Sequence, residues 1–119
     1  MRWYLRLPAA ACLVAETAKE IAGFILTEHA GARAHIITLD VLEGYRRRGI
    51  GSALLTAIEE QLAAQGVREV ELETATDNHA AIALWEKHGY RTRAVLKNYY
   101  LGRLDAYWMV KSFVPAKET

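Results

Sequence analysis

The sequence predicts an α/β domain built on a mixed central sheet with helices packed on it. Three observations point there. Predicted elements run strand, strand, strand, helix, strand, helix, strand, strand; the first two strands are joined by a turn short enough for an antiparallel hairpin; and the middle strand-helix-strand units require right-handed crossovers that lay helices on the sheet.

The first strand is read at Ala11–Glu16, an apolar run ending in a charge, and the polar turn Thr17-Ala18-Lys19-Glu20 leads to a second at Ile21–Leu26. Gly31 breaks the chain before a third strand at Ala34–Val41, whose apolar character suits a central position. Leu54, Leu55, Ile58 and Leu62 then recur at helical spacing, with Glu59, Glu60 and Gln61 outside them and Gly66 as the stop, predicting a helix over Ile50–Gln65. Val67–Thr74 alternates, Val70 and Leu72 on one face and Glu69, Glu71 and Glu73 on the other, as a strand does. Asp77 or Asn78 caps a second helix to about Lys87, closed by Gly89. Strands at Tyr90–Leu96 and Asp105–Phe113, joined by the loop Lys97–Arg103, finish the chain.

Composition narrows the function classes. The 119 residues, 52% apolar and 24% charged, fit one domain, taken as residues 1–119, without repeat or linker. Fifteen basic against fourteen acidic residues leave a net charge of +1, too little for a nucleic-acid or membrane footprint, so any anion site is local. No apolar run approaches the ~18 residues of a membrane span, and the start Met1-Arg2-Trp3-Tyr4-Leu5-Arg6 lacks a leader's apolar stretch, which predicts a cytoplasmic protein. Cys12 is the single cysteine, without an internal disulfide partner, and is read as a buried structural thiol. His29, His35, His79 and His88 show no metal-ligand spacing, so no metal site is expected.

Chemistry concentrates after Val41. Arg46, Arg47 and Arg48 precede Gly49-Ile50-Gly51 at the start of an amphipathic helix, where free backbone N–H groups, the helix dipole and guanidinium charge favour an anion such as phosphate. Alone, this pattern also describes a solvated basic turn. The dinucleotide glycine fingerprint and the phosphate-loop lysine motif are both absent.

The stretch from Leu39 to Leu55, with Arg46, Gly49 and Gly51 as an R-x-x-G-x-G core, resembles the acetyl-CoA signature of the GNAT acetyltransferases. Asn78-His79-Ala80-Ala81-Ile82-Ala83-Leu84-Trp85-Glu86-Lys87-His88-Gly89-Tyr90 resembles that family's second block, N-x-x-A-I-x-L-Y-x-x-x-G-F/Y, and the chain is most similar to the RimI-type branch of protein N-terminal acetyltransferases. Asn98-Tyr99-Tyr100 supports that placement, and the resemblance covers about residues 10 to 114.

The resemblance implies acetyl transfer from acetyl-CoA to a primary amine, with a protein or peptide N-terminus as acceptor. It implies that the backbone of Leu39, Asp40 and Val41 follows the pantetheine arm, that Arg47, Arg48, Gly49, Ile50, Gly51 and Ser52 wrap the pyrophosphate, with Arg46 beside them, and that Asn78 contacts the cofactor. A backbone N–H near Val41 is the expected oxyanion donor. Glu73, five residues before Asn78, aligns with the glutamate that takes the amine's proton; without the alignment it reads as one of three carboxylates on a solvated strand face. The family's thiolate acid is a tyrosine, and Trp85 stands there instead: an indole donates a hydrogen bond but no useful proton, so Trp85 reads as core or pocket wall. Tyr99 or Tyr100 is left as a substitute acid or a peptide contact. Two alternatives stay open, a small-molecule amine acetyltransferase and a CoA-binding module with weak catalysis. The resemblance further implies a strand and two helices before the first hairpin. Residues Met1 to Pro8 are read as too short for these, which leaves the strand from Ala11 as a bare edge and predicts a homodimer through that edge or by exchange of Asp105–Phe113.

Overall fold

The computed structural model describes residues 2–9, 12–100 and 103–113. Seven strands form one sheet: β1 (Tyr4–Ala9), β2 (Cys12–Glu16), β3 (Ile21–Ala30), β4 (Arg33–Val41), β5 (Glu69–Ala75), β6 (Arg91–Tyr100) and β7 (Leu104–Ser112). Their order across the sheet is β1-β2-β3-β4-β5-β7-β6. Only β4 and β5 run parallel; every other neighbouring pair is antiparallel. The parallel pair needs a crossover, which α1 (Ile50–Ala64) supplies, while α2 (His79–Lys87) links β5 to β6.

Helix α1 forms where its apolar spacing predicts. Leu54, Leu55 and Ile58 are wholly buried and Leu62 nearly so, each contributing about 1.5–3 kcal/mol by leaving water. They share one core with Ala34 and Ile36 of β4, Val70 and Leu72 of β5, Met109 of β7, and Trp85 of α2. Both helices therefore lie on the same face of the sheet. The alternation of β5 turns Glu69, Glu71 and Glu73 to the other face, which no helix among the described residues covers.

A polar anchor also ties the helices to the sheet. The Tyr90 hydroxyl, buried just after α2, donates to Glu59 of α1 at 2.7 Å, and Glu59 pairs with Lys111 of β7 at 2.7 Å. Burial and the Glu59 carboxylate push the Tyr90 phenol far above its ordinary pKa, so the hydroxyl keeps its proton and remains a donor.

Two expectations are corrected. Tyr4–Ala9 forms a strand paired with β2, so β2 is not a bare edge; Trp3 and Leu5 pack against the core while Tyr4 and Arg6 face out. Ala9 pairs with Cys12, and no helix precedes β3 among the described residues. Second, strand structure runs through Lys97–Tyr100, where a loop is predicted. Asn98 takes a left-handed φ of 54°, the register shifts, and the Asp105 carboxylate accepts the Asn98 N–H at 2.9 Å and pairs with Lys97. Strand β7, which holds most of Asp105–Phe113, sits between β5 and β6 of its own chain. Ala11, Leu101 and Gly102, included in the predicted first strand and last loop, lie outside the described residues. Cys12 is half-buried in β2.

Candidate active site

The site begins with a split in the sheet. The strands β4 and β5 pair only over Arg33–His35 and Glu69–Glu71; beyond that they separate. From Ile36 onward the backbone groups of β4 that face β5 have no strand partner there, which leaves an open row of donors and acceptors. The gap holds a cavity of about 350 Å³ whose walls include Leu39, Asp40, Glu73, Asn78, Trp85 and Tyr100. An adjoining cavity of about 360 Å³ continues toward α1, lined by Leu39, Asp40, Val41, Arg46, Gly51 and Trp85 among others. Strand end, glycine loop and second block thus meet in one cleft.

The loop before α1 turns through left-handed φ values at Arg47 (65°) and Gly49 (80°), and Gly49 is the N-cap of α1 without any side-chain cap bond. The first-turn N–H groups of Ile50, Gly51 and Ser52 therefore carry no capping acceptor from Gly49, and the helix dipole adds positive potential at the same place. Arg47 and Arg48 are exposed beside them. Arg46 is held differently: its Nε donates to the Val41 carbonyl at 2.9 Å, which fixes the loop to the end of β4. The Ser52 hydroxyl is also engaged, 2.9 Å from His88 Nε2. The Asn78 side chain accepts the Ala81 N–H at 3.2 Å and caps α2.

Trp85 is 7% exposed, meets Tyr90 edge-on at 5.8 Å, and lines both cavities, so it is core residue and cleft wall together. Its indole Nε1 is buried with no hydrogen-bond partner among the described residues. An orphan donor of this kind costs about 1–3 kcal/mol, which an acceptor on a bound ligand would relieve. The unpaired edge of β4, the uncapped helix start and this orphan donor suit an elongated ligand with a phosphate end and further acceptors along its length, and CoA has that form.

Glu73 faces the cleft from β5, and its Oε1 lies 2.7 Å from His35 Nε2 on β4. The ring's other nitrogen is 3.7 Å from Glu28 of β3. Burial alone would lower the His35 pKa, but hydrogen bonding to Glu73 and the charges of Glu73 and Glu71 outweigh it, and the net shift is upward. Beside this pair, Trp108 Nε1 donates to Glu71 at 3.0 Å and Arg33 binds Glu69 and Glu71. Of the three carboxylates on this face, two are tied by cation and indole, and Glu73 alone borders the cleft between the strands. Sequence reading misses His35, which stands 38 residues from Glu73; the signal lies in the β4–β5 register, His35 opposite Glu71, which no local pattern gives.

The two predicted tyrosines separate. Tyr100 lines the cleft, its phenol pushed up by burial and by the nearby Tyr99 and Glu73. Tyr99 is 49% exposed, packs edge-on against Tyr100 at 4.9 Å, and is not part of the cleft wall. Among the described residues no group of three or more His, Cys, Asp or Glu side chains is placed to hold a metal ion.

The model of the Acetyltransferase (GNAT) family matches residues 1–90. An N-alpha-acetyltransferase of Sulfurisphaera tokodaii is 34% identical over 119 aligned positions, which cover 89% of this chain and 71% of that protein. The crystal structure of the ribosomal-protein-S18-alanine N-acetyltransferase from Escherichia coli superposes with a TM-score of 0.81 at 32% identity, covering 91% of this chain and 72% of that one. Arabidopsis thaliana Naa50 in complex with the bisubstrate analogue CoA-Ac-MVNAL superposes at 0.77 with 33% identity, over 86% and 72%. With the split sheet, the glycine loop and these matches together, the chain belongs to the GNAT family, as an acetyl-CoA-dependent N-acetyltransferase.

Proposed function

We propose that this protein acetylates the α-amino group of a protein or peptide, with Glu73 as the base that frees the amine. The observation that carries this reading is the placement of the Glu73 carboxylate on the wall of the cleft that opens where β4 and β5 part. Acetyl-CoA supplies an acetyl group activated as a thioester. Backbone groups of Leu39, Asp40 and Val41 would hold its pantetheine arm, the N–H groups from Arg47 to Ser52 its pyrophosphate, and Asn78 a further contact.

The chain's own residues then divide the work. Glu73 takes the proton of the incoming amine, directly or through water. An unpaired N–H near Val41 stabilises negative charge on the carbonyl oxygen. Trp85 offers a hydrogen bond to the departing sulfur but no proton; a thiol pKa near ~8.5 lets the thiolate leave with this partial help. Tyr100, rather than Tyr99, is the tyrosine positioned to touch the acceptor. An α-amine, with a pKa of about 7.7–8.0 against about 10.4 for lysine, offers a neutral fraction some ~400-fold larger at neutral pH. A carboxylate base suits that acceptor better than a lysine.

Support for a peptide acceptor comes from the relatives, which include an enzyme named for the S18 alanine and a structure holding a CoA–peptide analogue. The second reading, a CoA-binding module with little turnover, is favoured by Trp85 standing where a phenol is expected. Thiol release in the presence of acetyl-CoA, measured over a peptide panel and over polyamine and aminoglycoside panels, separates these readings. Release with peptides alone supports ours, release with small amines alone transfers the activity to them, and CoA binding without release supports the module.

The reading includes a cytoplasmic site of action, where acetyl-CoA and new protein N-termini meet. It also includes a homodimer, formed through the sheet edge that β1 provides, where Tyr4 and Leu7 are 51% and 42% exposed, or by exchange of Asp105–Phe113. Light scattering across a wide dilution series tests this, and a monomer throughout refutes it.

A further inference from the structure

We propose that His88 sets the Ser52 hydroxyl as a hydrogen-bond donor to the cofactor's pyrophosphate and takes up a proton when that anion binds. The inference rests on the reading of Arg47 to Ser52 as the pyrophosphate site. It adds a positioning residue from α2, at a place where the second sequence block specifies no residue type.

His88 is the C-cap residue of α2, and its Nε2 lies 2.9 Å from Ser52 Oγ in the first turn of α1. Helical Cα–Cβ bonds tilt toward the N-terminus, so the Ser52 side chain leans to the end of α1 where Gly49 supplies no side-chain cap. A serine hydroxyl has one proton to donate and lone pairs to accept with. A ring nitrogen that donates to Oγ leaves the hydroxyl proton free for an anion, whereas a bare nitrogen consumes it. Both the neutral ring protonated at Nε2 and the imidazolium can donate, and an anion at the start of α1 favours them over the bare nitrogen.

The charged groups facing the half-buried ring are Lys87 of its own helix, Glu59 of α1 and Lys111 of β7. The Glu59 carboxylate is shared with Lys111 and with the Tyr90 hydroxyl, each at 2.7 Å. Burial, joined by the two lysines, holds the His88 pKa below its ordinary 6.5 against the pull of Glu59. Without ligand the ring is therefore mainly neutral at pH 7. A pyrophosphate at the helix start brings the negative charge that these surroundings lack, and Ser52 joins it to the ring. Binding then raises the His88 pKa, and the proton comes from solvent. A group whose pKa rises on binding strengthens that binding as the pH falls through its bound value, and the gain levels off below its unliganded value.

Dephospho-CoA is the probe, because a phosphate monoester such as the 3′-phosphate of CoA itself titrates near ~6, whereas the pyrophosphate has no such step there. Calorimetry in two buffers of different ionisation enthalpy counts the protons taken up on binding. For the unsubstituted protein we expect uptake of about half a proton near pH 6.5, and an affinity that rises by up to about tenfold from pH 8 to pH 5.5. His88→Gln keeps an N–H for Ser52 but cannot titrate, and should bind without that uptake, at an affinity flat over the same range. Ser52→Ala should lower the affinity by about tenfold through loss of a charge-assisted hydrogen bond. In parallel, NMR titration should find the His88 ring below 6.5 in the free protein and higher at saturating dephospho-CoA, a readout that needs no variant to fold. Equal proton uptake in His88→Gln and the unsubstituted protein, or a His88 pKa that the ligand leaves unchanged, overturns the coupling. Undiminished binding of dephospho-CoA by Gly51→Glu removes the loop reading beneath it. Binding lost in Gly51→Glu, with uptake unchanged in His88→Gln, refutes this inference alone.

Discussion

Substitution at Gly51 separates the fold from the cofactor site, because the two respond with opposite sign. Gly51 is the second residue of α1, and a Cβ built on it meets only Leu84 Cδ2, at 3.5 Å, an ordinary contact. Alanine therefore fits. Removing glycine from a helix gains about 0.5–1 kcal/mol, here reduced by its place in the first turn, so Gly51→Ala should raise the unfolding midpoint of the unliganded protein by ~2–4 °C. Glutamate also agrees with the helix, since a carboxylate near an N-terminus is favoured by the dipole. Its longer side chain, however, must pass Leu84 into the cavity shared by Gly51, Trp85 and Arg46, and its charge would occupy the place proposed for the pyrophosphate. Losing one or two charge-assisted contacts of ~1.5–3 kcal/mol corresponds to a CoA affinity lower by about 100-fold. Calorimetry with CoA on Gly51→Glu, beside thermal unfolding without ligand, gives both quantities. A well-folded Gly51→Glu that binds CoA within about threefold of the unsubstituted protein would show that the loop is not the site.

Three further outcomes follow from the geometry. Glu73→Gln should leave CoA affinity unchanged in calorimetry while turnover falls, most strongly at low pH where the amine is mainly protonated; an unaltered pH-rate profile would return Glu73 to a solvated strand face. Trp85→Tyr should raise turnover by up to about tenfold in a thiol-release assay, because a phenol can hand the sulfur a proton where the indole cannot, and a flat or lower rate would assign Trp85 to packing. Tyr90→Phe should cost about 1–3 kcal/mol in denaturant unfolding by leaving the Glu59–Lys111 pair without its buried donor, and a change below about 0.5 kcal/mol would mean that the anchor is not stabilising.

Local periodicity carried most of the architecture. Leu54, Leu55, Ile58 and Leu62 mark α1 because four apolar residues at helical spacing can be buried on one side only; all four lie in the core. The three glutamates of β5 alternate with Val70 and Leu72, and the structure puts the two sets on opposite faces. What failed was decided at a distance. Strand β1 has the alternation of Trp3 and Leu5 against Tyr4 and Arg6, but Pro8 and the short length speak against a strand until β2 is present to pair with it. The extension of β6 depends on Asp105, across the hairpin, supplying an acceptor for Asn98 that the strand ladder lacks. For the site, the glycine loop and the second block are contiguous motifs and could be read directly. The His35–Glu73 pair could not, since it depends on where a parallel register stops. Neither could the engagement of Arg46 with Val41 or of Ser52 with His88, which fixes the orientation of both side chains.

The central claim is transfer to an α-amine, and one measurement addresses it directly. The protein is incubated with acetyl-CoA and a peptide that carries both a free N-terminus and an internal lysine, and the modified position is located by fragment mass spectrometry; a second peptide, identical but blocked at its N-terminus, serves as the comparison. The account predicts a single acetyl group on the N-terminal nitrogen of the first peptide and none on the second. Acetylation of the lysine in both peptides, or of neither peptide by a protein that binds CoA, would contradict it.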